Sequence, residues 1–85
     1  MSMDQSTTVI KKGINANLFL SHLQQRVSLT NAKLLLDTAK VQSGVNVDND
    51  TELEMSQAKD LCMKFISRGG PSFQVGQAIY KEHLM

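Results

Sequence analysis

From Asn15 onward the apolar residues of this chain recur at helical spacing. Ala16, Phe19, Leu20, Leu23 and Val27 fall at i, i+3, i+4, i+7 and i+11, which aligns them on one face of a helix, and Asn15 stands where a side-chain oxygen caps the first turn. Ser21, His22, Gln24, Gln25 and Arg26 fill the opposite face. Ala32, Leu35, Leu36 and Ala39 repeat the same spacing, with Leu29 one heptad before Leu36, and predict a second helix. Ser28 or Thr30 is placed to cap it, and Gly44 to end it in a left-handed conformation. Neither Gly nor Pro separates the two stripes, so one long helix over 15–42 with a phase shift near Ser28 competes with a break there; the break is the reading adopted.

A third stripe, Met55, Ala58, Leu61, Cys62, Phe65 and Ile66, predicts a helix over 51–68. Thr51 is the expected cap, Glu52 and Glu54 the acidic first turn, and Lys64 and Arg68 the basic end, a charge order that suits the helix dipole. Gly69-Gly70-Pro71 stops this helix. Ser72 is placed to cap a fourth over 72–83, carrying Phe73, Val75, Ala78 and Ile79 inward with Leu84 further along. Gly76 lies inside that helix, where it costs about 1 kcal/mol relative to Ala, which points to a close backbone approach or local looseness.

Alternation of the strand type is confined to Val45 and Val47, in a loop rich in Asn and Asp. The expected architecture is therefore all-α: a small bundle of three or four helices over 14–85, with helices near 15–27, 29–42, 51–68 and 72–83, behind a flexible N-terminal tail, residues 1–13.

Length and charge narrow the classes of function. Eighty-five residues form one domain that buries only about 60 to 65 per cent of the surface its unfolded chain exposes, which favours oligomerisation or docking on a partner protein. A net charge of +1 supplies no global field to recruit nucleic acid or an anionic membrane. The charge is unevenly spread, +3 over residues 1–40 and −2 over 41–85, an imbalance able to guide self-association or simply to reflect helix ends. The longest aliphatic runs, Leu18-Phe19-Leu20 and Leu34-Leu35-Leu36, are far too short to span a bilayer, and with one cysteine and no signal-like segment the expected location is cytoplasmic.

Candidate chemistry is sparse. Cys62 sits mid-helix on an apolar stripe and reads as a buried structural thiol rather than a nucleophile. His22 and His83 have no second ligand one turn away, the spacing that grips zinc. Asp48, Asp50 and Glu52 imitate the start of a calcium loop, but Leu53 stands where that loop needs Gly and Lys59 where it needs Glu. Arg68 to Ser72 resembles an anion-binding helix start in composition, yet lacks the preceding strand and the Lys-Ser/Thr ending of a nucleotide loop. No cofactor and no metal are implied, and the chain is expected not to be an enzyme, because nucleophile, base and paired carboxylates never occur at usable spacing.

What the sequence does offer is apolar surface beyond the needs of a small core. Leu18 and Leu34, which lie off the main stripes, with Leu29 and Val41, are the candidate contact residues of a helical protein–protein interaction module, one that associates with itself or docks on another protein as a small regulator or chaperone. The alternative is a small DNA-binding regulator with a helix-turn-helix-like unit around Arg68 to Lys81, using Lys64, Arg68, Gln74, Gln77 and Lys81.

Overall fold

A computed structural model of the chain describes residues 13–84, so that the expected tail, apart from Gly13, lies outside the described residues. Among the described residues the fold is all-α, with four helices: α1 Ala16–Gln24, α2 Leu29–Ser43, α3 Met55–Arg68 and α4 Gly70–Ile79, the last running on into a π-helical turn, Tyr80–Leu84. Each helix buries the same template. Ala16, Phe19 and Leu23 on α1, Ala32, Leu36 and Ala39 on α2, Ala58, Leu61, Cys62 and Phe65 on α3, and Ser72, Val75, Gly76 and Ile79 on α4 all fall on i, i+3, i+4, i+7 positions. At the centre the Phe19 and Phe65 rings meet edge to face, with centroids 5.1 Å apart and planes inclined by 75°.

The break between α1 and α2 is real and lies at 25–28. Asn15 Oδ1 accepts from Leu18 N at 3.1 Å to cap α1, and Ser28 Oγ accepts from Asn31 N at 3.3 Å to cap α2. Val27, expected to extend the α1 stripe, instead lies in the connection and packs half-buried against the core. Gly44 ends α2 at φ 73°, and the Gly44 and Val45 amides return to the carbonyls of Val41 and Lys40 at 3.2 and 2.9 Å.

The third helix starts four residues later than the sequence suggested. The chain turns at 48–51, where Thr51 N donates to Asp48 O at 3.0 Å, and is then held against residues 14–17: Leu53 N donates to Ile14 O at 2.7 Å, Asn17 N to Asn49 O at 3.0 Å, and Asn15 and Glu52 form an isolated antiparallel bridge. That pairing takes the backbone that a cap at Thr51 would need. The helix is capped at Glu54, whose backbone N–H donates to Gln57 Oε1 at 2.9 Å, the return half of a capping box. Glu52 therefore lies outside the helix, and Glu54 flanks its first turn instead of occupying it. Lys40 ties the same loop from the other side, donating from Nζ to Val47 O at 2.8 Å and to Asn49 Oδ1 at 2.7 Å.

The fourth helix starts two residues earlier than expected. Gly69, with φ 81° and ψ −175°, and Gly70, with φ 60°, turn the chain so sharply that α3 and α4 are joined by Gly69 alone. Ser72 is thus no cap but a buried residue inside α4. With the inward face defined by Ser72, Val75, Gly76 and Ile79, Phe73 falls one residue off it and is 38% exposed rather than core. Met55, the first residue of α3, is likewise exposed, because the inward stripe begins at Ala58.

Among the described residues α3 and α4 share the most extensive contact, and Gly76 sets its closeness. A Cβ at Gly76 would stand 2.8 Å from Cys62 O, 2.8 Å from Phe65 Cβ and 3.0 Å from Ile66 Cγ1, so the residue is glycine because the backbone of α3 occupies that space.

Candidate interaction surface

Of the four residues expected to reach a partner, Leu29, Leu34 and Val41 are exposed and Leu18 is not. Leu18 packs half-buried against the core although it lies off the α1 stripe, since α1 is contacted by both α2 and α4. Leu34 and Val41 are 63% and 80% exposed, and they stand two turns apart on the side of α2 away from Ala32, Leu36 and Ala39. Exposed Asp37 lies between them in the chain and on the same side of the helix. Leu29, at the start of α2, is set toward the flank.

A second apolar feature was not anticipated. Met63 and Ile66 from α3, Gln77 from α4, and Tyr80 and Lys81 from the π-helical turn line an open groove of about 330 Å³, walled mainly by apolar atoms. Met63 is 54% exposed at its edge. Phe73 lies one turn before Gln77 and two before Tyr80, on the same side of α4. The groove follows from two backbone facts. Gly76 draws α4 against α3, and the π-helical turn carries Tyr80 past the end of the regular helix, leaving the Ile66 side of α3 half covered. Methionine on such a rim is suited to variable contacts, because its unbranched side chain adapts to the surface it meets. The exposed Met63 was legible only with knowledge of which α3 face was buried.

The residues of the DNA-binding alternative separate into two groups. Gln74, Gln77 and Lys81 share one exposed face of α4 and the following turn, while Lys64 and Arg68 belong to α3. Gln77 and Lys81 line the apolar groove. The connection of one residue also departs from the three- to four-residue turn that sets the helix angle in a helix-turn-helix unit.

Reactive groups do not converge on either surface. Cys62 is fully buried, and burial pushes its thiol from 9.0 up to about 12, which disfavours the thiolate a nucleophile requires. Among the described residues no three His, Cys, Asp or Glu side chains gather as a metal ion would need, and no helix is long and apolar enough to cross a membrane. Asp48, Asp50 and Glu52 are exposed in the loop between α2 and α3, with the Glu52 side chain lying against Gly13. Compared with protein-family models, with curated proteins and with solved structures, the chain finds no match.

Proposed function

We propose that this chain is a non-enzymatic, cytoplasmic helical interaction module, whose partner contributes an amphipathic helix. The observation that carries this reading is the pairing of a filled core with apolar side chains left outside it. Phe19, Leu23, Leu36, Leu61, Phe65 and Ile79 are all at least 99% buried, while Leu34, Val41 and Met63 remain more than half exposed. An apolar side chain on the outward face of a helix adds little to folding, and a groove between two helices is the usual receptor for the apolar face of a third. The buried, protonated Cys62 contributes packing rather than chemistry.

Selection from a displayed library of amphipathic helical peptides tests the reading. Retained peptides are expected to lose binding on Leu34→Glu or Met63→Glu. A library from which nothing is retained, or peptides indifferent to both substitutions, contradicts it. Retention of random duplex DNA in a gel shift at low salt, weakened by Arg68→Ala and Lys81→Ala, would replace it with the nucleic-acid reading.

A further inference from the structure

The two exposed apolar features differ in shape and in charge. The outward side of α2 carries an apolar ridge, Leu34 and Val41, separated by about 10 Å along the helix axis, with the Asp37 carboxylate on the same side between them; at its Val41 end the ridge borders a depression shared with Asp37, Val45 and Val47. The space between α3 and α4 is a groove, with Met63, Ile66 and Tyr80 as apolar wall and the Lys81 ammonium on the rim. No residue belongs to both, so every copy of the chain presents this ridge and this groove together. An apolar strip with an acid at its middle matches, in sign, an apolar groove with a base at its edge.

We propose that the α2 ridge of one copy seats in the α3–α4 groove of a second copy, with Asp37 facing Lys81 across the contact. This rests on the interaction reading above and names its partner. The contact is heterologous: each bound copy still presents a free groove or a free ridge, so association continues beyond a dimer unless the chain of contacts closes into a ring. Two ridge side chains bury far less than the roughly 800 Å² per partner of a stable interface, so the assembly is weak and grows with concentration. Lys33, one turn before Asp37, and Asp60, beside Met63's turn on α3, are both exposed and extend the opposite-sign pattern at the margins.

Sedimentation of the full chain with blocked variants tests this. The average mass of the wild type is expected to rise between about 10 µM and 1 mM without levelling at twice the monomer. Leu34→Glu, which loses the ridge, and Met63→Glu, which loses the groove, are each expected to stay monomeric alone and to form a one-to-one dimer when mixed, since one supplies the groove and the other the ridge. Asp37→Lys and Lys81→Asp alter only exposed charges and repeat the test without risk to the core: each weakens association alone, and mixing the two restores it. A wild type that remains monomeric throughout overturns the proposal. So does a wild type that associates while the mixed variants do not, which would mean that like faces meet. If the wild type is monomeric yet still retains helical peptides in a Met63-dependent way, the self-association fails and the interaction reading stands; if it retains none, both fail.

Discussion

Replacing Gly76 by alanine sets two effects of known sign against each other. Alanine is favoured over glycine in a helix interior by about 0.8 to 1 kcal/mol, so on propensity alone Gly76→Ala stabilises α4. The added methyl, however, meets Cys62 O and Phe65 Cβ at 2.8 Å and Ile66 Cγ1 at 3.0 Å. The first of these is backbone and the second is fixed to it, so neither yields by rotation of a flexible side chain; the helices have to separate. Overpacking of this kind costs about 1 to 3 kcal/mol; with two of the three close atoms unable to rotate away the cost falls in the upper half of that range, and a net loss of about 1 to 2 kcal/mol remains after the propensity gain. For a domain of this size that lowers the melting temperature by about 5 to 15 °C. Urea and thermal unfolding followed by circular dichroism measure it, with Gln74→Ala on the exposed face of the same helix as a control expected to lie within about 0.5 kcal/mol of wild type. A Gly76→Ala protein that melts at or above the wild-type temperature refutes the close approach of α3 and α4, and with it the reason for the groove.

Other expectations follow from the clips and the buried thiol. Lys40→Met keeps the apolar stem but removes the bonds to Val47 O and Asn49 Oδ1, and should cost about 1 to 2 kcal/mol, with amide exchange accelerated first in the loop from Val45 to Leu53; unchanged exchange there contradicts the clip. Gly69→Ala should destabilise by about 1 to 3 kcal/mol because only glycine tolerates φ 81° with ψ −175°. A neutral result would mean that the α3–α4 corner has another geometry. Cys62 should resist a thiol reagent at pH 8 in the native protein and react only on unfolding. Its raised pKa also fixes the sign of a pH effect. Below 9.0 the thiol is protonated in both states and its contribution to stability is complete; between 9.0 and about 12 the unfolded chain releases the proton first, so stability falls as pH rises. Comparing wild type with Cys62→Ala isolates this slope, and equal pH dependence of the two proteins contradicts the buried thiol.

The fold was largely legible because a single template, i, i+3, i+4, i+7, governs all four helices, and because Asn15, Ser28 and Gly44 are caps of ordinary kind. What stayed hidden depended on contacts distant in sequence. Thr51 resembles a cap as well as Ser28 does, yet the loop at 49–53 is committed to residues 14–17, an association no local pattern encodes. Val45 and Leu53, isolated in a polar segment, are core residues for the same reason, since the pairing and the Lys40 clip turn them inward. Ser72 was misplaced because a hydroxyl just after Pro looks like a helix start; the two positive-φ glycines had already begun the helix. Of the proposed contact surface, the α2 ridge could be read from the sequence, as Leu34 and Val41 break the stripe by their phase. The groove could not, because Met63 and Phe73 sit close to apolar stripes and are seen to be exposed, with Tyr80 half-buried between α3 and the end of α4, only once the neighbouring helices settle which sides are covered.

The claim on which the functional reading stands is that the outward apolar side chains serve binding and not folding, and the double variant Leu34→Glu/Met63→Glu tests it. Glutamate matches leucine and methionine in helix propensity, and both sites are more than half exposed, so the two changes together should cost no more than about 1 to 2 kcal/mol. Urea unfolding and peptide retention measured on the same preparation are expected to show a cooperative transition close to that of the wild type and binding abolished. Loss of the cooperative transition would place these residues in the core, and full retention of the selected peptides by the folded double variant would show that binding, if any, lies elsewhere.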